Sequence, residues 1–208
     1  MEEAVDHALR LVHELIGSEE FQKELQNAKQ EYFNKVGTPL PGEPLEELRL
    51  AGFVEWFAFD RTLHSTGRTP AAECLGRNPG LPDPVREALQ GLENAVHSIF
   101  LVKKQLGREV HLKDMYSGEV YKNVKRAPMT LGKGDIADLR LVYAGERWHT
   151  TDALCVHPYS AKKQIKKKLK DLRKNGGDLD GVLLELLLMN TRYERAPRPV
   201  KDKAYADH

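Results

Sequence analysis

The side chains best suited to bind a metal lie close together in the last third of the chain. His149, Asp152 and His157 offer three metal-ligand types in nine positions, and Cys155 lies between them. Along an extended strand, positions 149 and 152 point to opposite faces, so one ion could not contact both without an intervening turn. Two His and a lone Cys also lack the paired spacing of a zinc site. The sequence therefore predicts no metal site and no cofactor.

A cysteine–histidine nucleophile pair is a second chemistry, and the sequence leaves it open. Cys74 and Cys155 are the two cysteines, and His64 or His157 could serve as the base. Such a pair is recognised by the distance between the sulfur and the imidazole, which a sequence does not supply. We therefore predict no catalytic residue, and an enzyme of unknown class is the third hypothesis for function.

Carboxylates also occur in the most aromatic segment of the chain, residues 53–61, which has four aromatic side chains in seven positions. Glu55, Asp60 and Arg61 could form a catalytic set. Charged groups in such a helix more often anchor it to its neighbours through hydrogen bonds or ion pairs, and anchoring is the favoured interpretation. The segment is predicted to be a central buried helix with the core residues Phe53, Trp56 and Phe57.

Residues 53–61, with Leu63 shortly after them, resemble the F-x-E-W-F-x-F-D-R-x-L segment of a loosely defined group of uncharacterised bacterial proteins. In that group a glycine-flanked, β-barrel-like segment similar to residues 110–121 follows, and then a turn similar to Gly134-Asp135-Ile136. The resemblance covers roughly residues 50–145, a span of domain size. It implies a shared fold and brings no established activity with it.

Three polar segments have the composition of ligand loops but the spacing of turns. Asp114, Ser117 and Gly118 depart from the D/N-x-S-x-x-G motif of PilZ cyclic-dinucleotide sites, and no R-x-x-x-R precedes them. Residues 132–135 lack the G-x-x-x-x-G-K-[ST] pattern of a P-loop. Asp178 lacks the further ligands of a calcium loop. We therefore predict two turns and a helix N-cap.

The densest charge lies in residues 162–174, which hold eight basic side chains against one acid, Asp171. Three apolar residues recur at helical spacing there, so the segment is predicted to be a helix with basic side chains over the rest of its surface. Like charges four residues apart, as at Lys162 and Lys166, oppose helix formation unless an anion offsets them. The predicted binding residues are Lys162, Lys163, Lys166, Lys167, Lys170, Arg173 and Lys174.

The composition of the whole chain conceals this excess. Its 208 residues carry 32 basic and 31 acidic side chains, and 40% of them are hydrophobic, as in an ordinary globular chain. Residues 1–60 have five Lys or Arg against thirteen Asp or Glu, a net charge of −8, and residues 61–208 have 27 against 18, a net charge of +9. The acidic N-terminus is unlike a secretory signal, and no apolar run is long enough to span a bilayer. We predict a cytoplasmic protein without a membrane span.

Hydrophobic spacing predicts helices over most of residues 1–96, which we take as a helical part. One helix ends at Gly17 and the next is predicted to be capped by Ser18. A proline- and glycine-rich connector then precedes the aromatic helix. Two short helices are predicted to begin at Pro70 and Pro84, since each proline follows a capping residue.

Residues 97–158 change to short β-rich stretches separated by glycine turns. Because no crossover helix fits between them, they are predicted to form an antiparallel meander, either a small SH3-like or OB-like barrel or a curled sheet. The predicted strands are residues 99–104, 109–113, 119–124, 136–143 and 147–156.

Residues 159–195 are predicted to form a C-terminal helical pair. The first helix is capped by Ser160 and ends at residues 175–177, Asn-Gly-Gly. The second contains the apolar run 183–189, which must be buried on more than one side, within the fold or against a partner in an oligomer. Residues 196–208 are predicted to be a disordered tail. The fold class is therefore α+β, with N-terminal helices around a small barrel or curled sheet that two C-terminal helices close.

The sequence favours a non-enzymatic binding or adaptor protein that contacts another protein through its acidic helical half and its basic helix. The alternative is a nucleic-acid-binding protein that uses the basic helix and the barrel surface, because each phosphate that a cation neutralises releases counterions. The candidates for base stacking on that surface are Tyr116, Tyr121 and Tyr143. An intramolecular role for the basic helix, opposite the acidic N-terminal residues, is a further hypothesis.

Overall fold

The computed structural model describes residues 1–127 and 130–205. Within them the chain begins with five α-helices, continues with five β-strands and ends with two more α-helices. The α-helices are α1 (Glu2–Ile16), α2 (Gln22–Val36), α3 (Glu46–Phe59), α4 (Pro70–Arg77), α5 (Asp83–Glu93), α6 (Lys162–Asn175) and α7 (Leu179–Arg195). The predicted α+β class is confirmed.

The strands form one antiparallel sheet in the order β3-β2-β1-β4-β5. Their bounds are β1 (Val96–Leu106), β2 (Glu109–Asp114), β3 (Val120–Val124), β4 (Ile136–Ala144) and β5 (Arg147–His157). The meander prediction is wrong at one connection, since β4 does not pair with β3. It crosses to the free edge of β1, where Leu101 aligns with Ile136.

The sheet is curled and is not closed into a barrel. Strands β3 and β5 are its two edges, and the residue after β3, Lys125, forms a single parallel bridge with His149 of β5. Lys125 donates its amide to Trp148 and accepts from the amide of Thr150. The SH3-like or OB-like barrel type stays a prediction.

Local sequence accounts for most helix boundaries. Thr69 caps α4 by accepting a hydrogen bond from the amide of Ala72, 3.3 Å away, and Pro70 is the first helical residue. Helix α5 begins at Asp83, one residue before the predicted start. Ser18 and Ser160 make no side-chain capping bond, because 3₁₀ turns at residues 19–21 and 159–161 precede α2 and α6.

The buried apolar side chains fall into three clusters. The first joins α1–α5 to the outer end of β4 and contains the predicted core residues Phe53, Trp56 and Phe57 of α3. The second fills the curl of the sheet around Phe100 and Leu112. The third packs α6 and α7 on the sheet near Ile136. Both the N-terminal and the C-terminal helices therefore pack on the sheet.

Helix α7 is covered on two sides by the chain itself. Its residues Leu183 and Leu186 are buried in the third cluster, whereas Leu184 and Leu187 pack against the first. The apolar run therefore has partners within the fold. No helix among the described residues is long and apolar enough to cross a membrane.

The predicted disordered tail is wrong for residues 198–205, which form a 3₁₀ helix. Tyr205 anchors this helix, because its ring is buried and its hydroxyl lies 2.8 Å from Nδ1 of His157. The ring also contacts Tyr193 of α7. Residues 206–208 of the predicted tail lie outside the described residues.

Candidate functional site

Helix α6 carries the predicted basic surface. Its apolar residues Ile165, Leu169 and Leu172 are buried against the rest of the fold, so its other sides face outward. Lys162 is half-buried. We define the exposed part of the predicted set as the α6 basic face; it consists of Lys163, Lys166, Lys167, Lys170, Arg173 and Lys174.

Several contacts fix the position of α6 on the fold. Lys168 forms a 3.0 Å ion pair with Glu185 of α7. Arg173 donates a 3.0 Å hydrogen bond to the carbonyl of Tyr116 in the turn between β2 and β3. At the other end of α6, Nζ of Lys162 lies 4.9 Å from the ring centroid of Tyr159. The basic face is therefore presented by a helix that is held in place by contacts with α7 and with the β2–β3 turn.

The acidic N-terminal residues meet arginines in other parts of the fold. Arg61 binds the carboxylates of Glu24 and Glu31 at 2.9 and 3.0 Å. Arg77 binds both oxygens of Glu20 at 2.7 Å. Further pairs of this kind join Asp6 to Arg126, and Glu43 to Arg49 and Arg195. These ion pairs involve five of the N-terminal acids, Asp6, Glu20, Glu24, Glu31 and Glu43, and none of the pairs includes a residue of α6.

The predicted stacking tyrosines do not form one surface. Tyr121 is buried between Phe100 and Trp148 and is not available to a base. Tyr143 is exposed, but it lies at the β4–β5 hairpin, seven residues along β4 from the Ile136 end on which α6 packs, about 23 Å away. Tyr116 alone of the three lies beside α6.

Sequence reasoning missed Tyr159, the aromatic residue best placed beside the basic face. Its side chain is 74% exposed directly before α6, under Lys162. Its position directly before the predicted basic helix is the sequence signal that could have identified it, because aromatic and basic side chains occur together in nucleic-acid grooves.

The carboxylates of α3 reach the sheet. Glu55 accepts hydrogen bonds from the hydroxyl of Thr151 at 2.8 Å and from the amides of Asp152 and Ala153 at 3.0 and 2.7 Å. Its Oε2 also lies 3.5 Å from Nε of Arg140. Both oxygens of Glu55 are therefore occupied in joining α3 to β5.

Arg140 of β4 links Glu55 to the second carboxylate of α3. It donates a 2.9 Å hydrogen bond to Asp60 and a second one to the other oxygen of the same carboxylate. Burial lowers the pKa of Arg140, but the charges of Asp60, Glu55 and Asp138 and the hydrogen bonds to Asp60 together outweigh burial, so this pKa lies above its ordinary value. Burial likewise raises the pKa of Glu55, against the opposing effect of Arg140. These contacts are the anchoring role favoured for Glu55 and Asp60, whereas Arg61 binds α2 instead.

A His–Asp pair that sequence reasoning missed lies next to this arginine. Nε2 of His97 on β1 is 2.7 Å from Oδ1 of Asp138 on β4. Among the described residues, the buried Oδ2 of Asp138 and Nδ1 of His97 have no hydrogen-bond partner, although Nδ1 lies 3.9 Å from Asp60. The two residues are 41 positions apart, so only the register of β1 with β4 brings them together.

A cavity of about 420 Å³ opens beside this pair. It lies between α2, α3 and α7 on one side and β4 and β5 on the other, and apolar side chains form most of its wall. Polar residues that also line it include Glu55, His97, Asp138 and Cys155. A carboxylate, a histidine and a cysteine, the residue types considered for catalysis, therefore lie at one cavity.

The order of these groups does not suit nucleophilic catalysis. Cys155 aligns with Asp138 across β4 and β5, so the carboxylate and not the imidazole is its neighbour in the ladder. Burial raises the pKa of the Cys155 thiol, and the charge of Asp138 raises it further. A thiol held in its protonated form is a poor nucleophile.

The other predicted ligand and nucleophile residues have structural contacts. Burial lowers the pKa of His157 to about 4, and Tyr205 occupies its Nδ1. His149 lies 3.1 Å from the carbonyl of Ala144, and Asp152 accepts from Arg126. His64 contacts Glu24, and Cys74 contacts Asn78. Within residues 1–127 and 130–205, no three His, Cys, Asp or Glu side chains are grouped to hold a metal.

The polar loops serve as turns and as a helix cap. Asp114 accepts hydrogen bonds from the amide of Tyr116 at 2.7 Å and from the hydroxyl of Ser117 at 2.9 Å. Asp135 closes its turn by accepting from the amide of Gly132 at 2.7 Å. Asp178 caps α7.

Comparison with known proteins finds no family model, no curated protein and no solved structure that matches this chain. The α6 basic face and the cavity are therefore the two features from which function can be inferred.

Proposed function

We propose that this chain is a non-enzymatic binding protein that contacts an acidic surface of another protein through the α6 basic face. The observation that carries the proposal is the pairing of the N-terminal acids with Arg61, Arg77, Arg126 and Arg195. Because those acids already have cations, the hypothesis that they neutralise α6 loses its basis.

The charge of α6 is costly for the helix itself, which supports a role outside the fold. Lys166 stands four residues from both Lys162 and Lys170, so the helix places like charges side by side. The three buried side chains of α6 need only a narrow stripe, and a mixed-charge surface would serve solubility as well. A dense positive face is best explained by a partner that supplies negative charge.

A nucleic acid is the second candidate, and Tyr159 is the observation that favours it. An exposed aromatic ring beside lysines can stack on a base while the cations contact phosphates. The proposed contact surface is then α6 with Tyr159 and Tyr116. The sheet surface around Tyr121 and Tyr143 takes no part in this candidate.

The proposal is tested by binding to two defined probes, a labelled poly-glutamate peptide and a labelled single-stranded oligonucleotide of mixed sequence. Fluorescence anisotropy should show binding of the peptide that weakens about 10- to 100-fold between 50 and 200 mM salt if three cations take part. The variant Lys163→Glu, Lys166→Glu, Lys170→Glu should lose this binding. A matched control, Lys103→Glu, Lys104→Glu, Lys122→Glu, changes three exposed lysines of the sheet and should retain most of it.

The two candidates give different results in the same assay. Tighter binding of the oligonucleotide, lost in Tyr159→Ala, would favour the nucleic acid over the acidic protein. Equal losses in the α6 variant and the sheet control would mean that net charge alone drives association, and would contradict a site on α6. Failure of the wild type to bind either probe at 50 mM salt would remove both candidates.

A further inference from the structure

We infer that the cavity between the helices and strands β4 and β5 is a binding site for a small apolar molecule that carries a protonated amine. This site is separate from the α6 basic face and does not depend on the function proposed for it. Its evidence is a large apolar wall, a buried carboxylate oxygen without a partner, and two aromatic rings beside it.

The apolar wall comes from four elements that the fold brings together. Leu48 and Trp56 of α3 face Leu139 of β4 and Leu154 of β5 across the cavity, and Leu187 of α7 completes the wall. A volume of about 420 Å³ falls within the range of roughly 300–1,000 Å³ that is usual for sites of small organic molecules. The wall therefore suits the carbon skeleton of a ligand rather than a free inorganic ion.

The charge at the sheet end of the cavity is unbalanced. Glu55 and Asp138 line that end of the cavity, and Arg140, which also lines it, binds Glu55 and the neighbouring Asp60. His97 contacts only Oδ1 of Asp138, which leaves Oδ2 buried and without a hydrogen-bond donor among the described residues. A buried acceptor of this kind is costly unless a donor reaches it. A ligand ammonium group would supply both the donor and the missing positive charge.

Aromatic rings that line the cavity also favour a positively charged ligand. Tyr32 and Trp56 both line the cavity, with ring centroids 5.2 Å apart. The electron-rich faces of Tyr and Trp attract cations, and the attraction strengthens when the site excludes water.

Two arginines line the cavity and could favour an anionic ligand: Arg140, which Glu55 and Asp60 bind, and Arg49, whose charge is also offset. Nη1 of Arg49 lies 2.9 Å from Glu43, and Arg195 binds the same carboxylate at 3.0 Å. Glu194 also lines the cavity on that side. The charge of Arg49 is therefore offset by Glu43, although its Nη atoms have no hydrogen-bond acceptor among the described residues. Oδ2 of Asp138 has no donor, and so the amine is expected beside Asp138.

The experiment compares three probes that share one skeleton and differ in charge: 2-phenylethylamine, its uncharged counterpart 2-phenylethanol, and 3-phenylpropionate. Isothermal titration calorimetry of the full chain should show the amine binding about tenfold or more tighter than the alcohol, because a hydrogen bond to a charged group is stronger than a neutral one. The carboxylate should bind more weakly than either. A site that responds to Arg49 would give the opposite order and would overturn the inference.

Two variants locate the binding. Asp138→Asn should remove the preference for the amine and leave the alcohol little changed, whereas Asp171→Asn, the same change at an exposed position of α6, should have no effect. If Asp138→Asn fails to fold, Leu187→Phe, which fills the cavity without changing charge, should abolish binding of all three probes. Amine binding that survives Leu187→Phe in a folded protein, or a wild type that binds no amine up to about 10 mM, would contradict the site.

Discussion

The acidic N-terminal region and helix α6 carry opposite charge, and the chain uses the two charges differently. Residues 1–60, with a net charge of −8, have carboxylates that pair with arginines from α3 to α7. Helix α6 is basic mainly through lysine, and most of these lysines are exposed. The near-neutral total of 32 basic and 31 acidic residues therefore does not result from one region neutralising the other.

The choice of cation explains the difference. A guanidinium is planar, is weakly hydrated and binds both oxygens of a carboxylate, as Arg77 does with Glu20 and Arg140 with Asp60. An ammonium group is compact and strongly hydrated, so it stays in water at little cost. Arginine in this fold joins elements, whereas most lysines of α6 lie exposed on its surface.

The largest effect is expected at Arg140 of β4, the most buried of the arginines that pair with carboxylates of residues 1–60. Replacing it in Arg140→Met leaves Glu55 and Asp60 without their shared partner in the interior. Breaking a buried ion pair from one side costs about 3–5 kcal/mol of the free energy of unfolding. Urea denaturation followed by circular dichroism measures this loss.

Arg147→Met is the matched control, because Arg147 is an exposed arginine on the neighbouring β4–β5 hairpin. It should change the free energy of unfolding by no more than about 0.5 kcal/mol. If the two variants were equally stable, Arg140 would not be the cation that joins α3 to the sheet.

A smaller, pH-dependent effect is expected at Glu24. Burial raises the pKa of Glu24, but hydrogen bonds donated by His64 and Arg61 outweigh it, so this pKa lies below its ordinary value. A lowered pKa means that the pair stabilises the fold above pH 4.5 and loses this contribution as the pH falls through the lowered value. Glu24→Gln should therefore cost about 1–2 kcal/mol at pH 7 and progressively less in acid.

The control for Glu24 is Glu47→Gln, which neutralises an exposed carboxylate of the same acidic region. The free energy of unfolding is measured for both variants and the wild type between pH 7 and pH 3. Only for Glu24→Gln should the difference from the wild type shrink as the pH falls. A constant difference over that range would mean that Glu24 contributes through packing and not through its charge.

The elements of this fold could be predicted well from local sequence, and their arrangement only in part. All five strands and the α3 helix follow from residue pattern, because turn glycines and apolar spacing act over a few residues. The position of β4 beside β1 depends on pairing between residues such as Val96 and Leu141. That pairing is non-local, and no turn signal specifies it. The ordered position of Tyr205 could not be predicted for the same reason, since its partner His157 is 48 residues away.

The candidate site likewise has one part that local sequence predicts and another that depends on tertiary contacts. The basic face was found because the lysines of α6 are consecutive in sequence and a helix places them on known sides. The cavity was not found, because His97 and Asp138 each look like an ordinary strand residue alone. Glu55 was correctly expected to anchor its helix, but its donors on Thr151 and Ala153 could not be named without the tertiary fold.

The smallest expected effect is on the stability of α6 itself. Lys166→Glu converts the like-charge pairs with Lys162 and Lys170 into opposite-charge pairs, each worth about 0.2–0.5 kcal/mol. The free energy of unfolding should therefore rise by about 0.5–1 kcal/mol at low salt, and the gain should shrink as salt screens the pairs. Thermal unfolding at two salt concentrations measures it, with Lys103→Glu on β1 as a charge-matched control that has no helical neighbours.

The sign of this small change bears directly on the comparison of the two regions. A gain in stability would mean that Lys166 is repelled by its neighbours in the free protein, so its positive charge would serve a partner rather than the fold. A loss that Lys103→Glu does not share would mean that an acid of the chain itself holds Lys166. The basic face would then be a paired surface like the N-terminal region, and the case for an external acidic partner would fall with it.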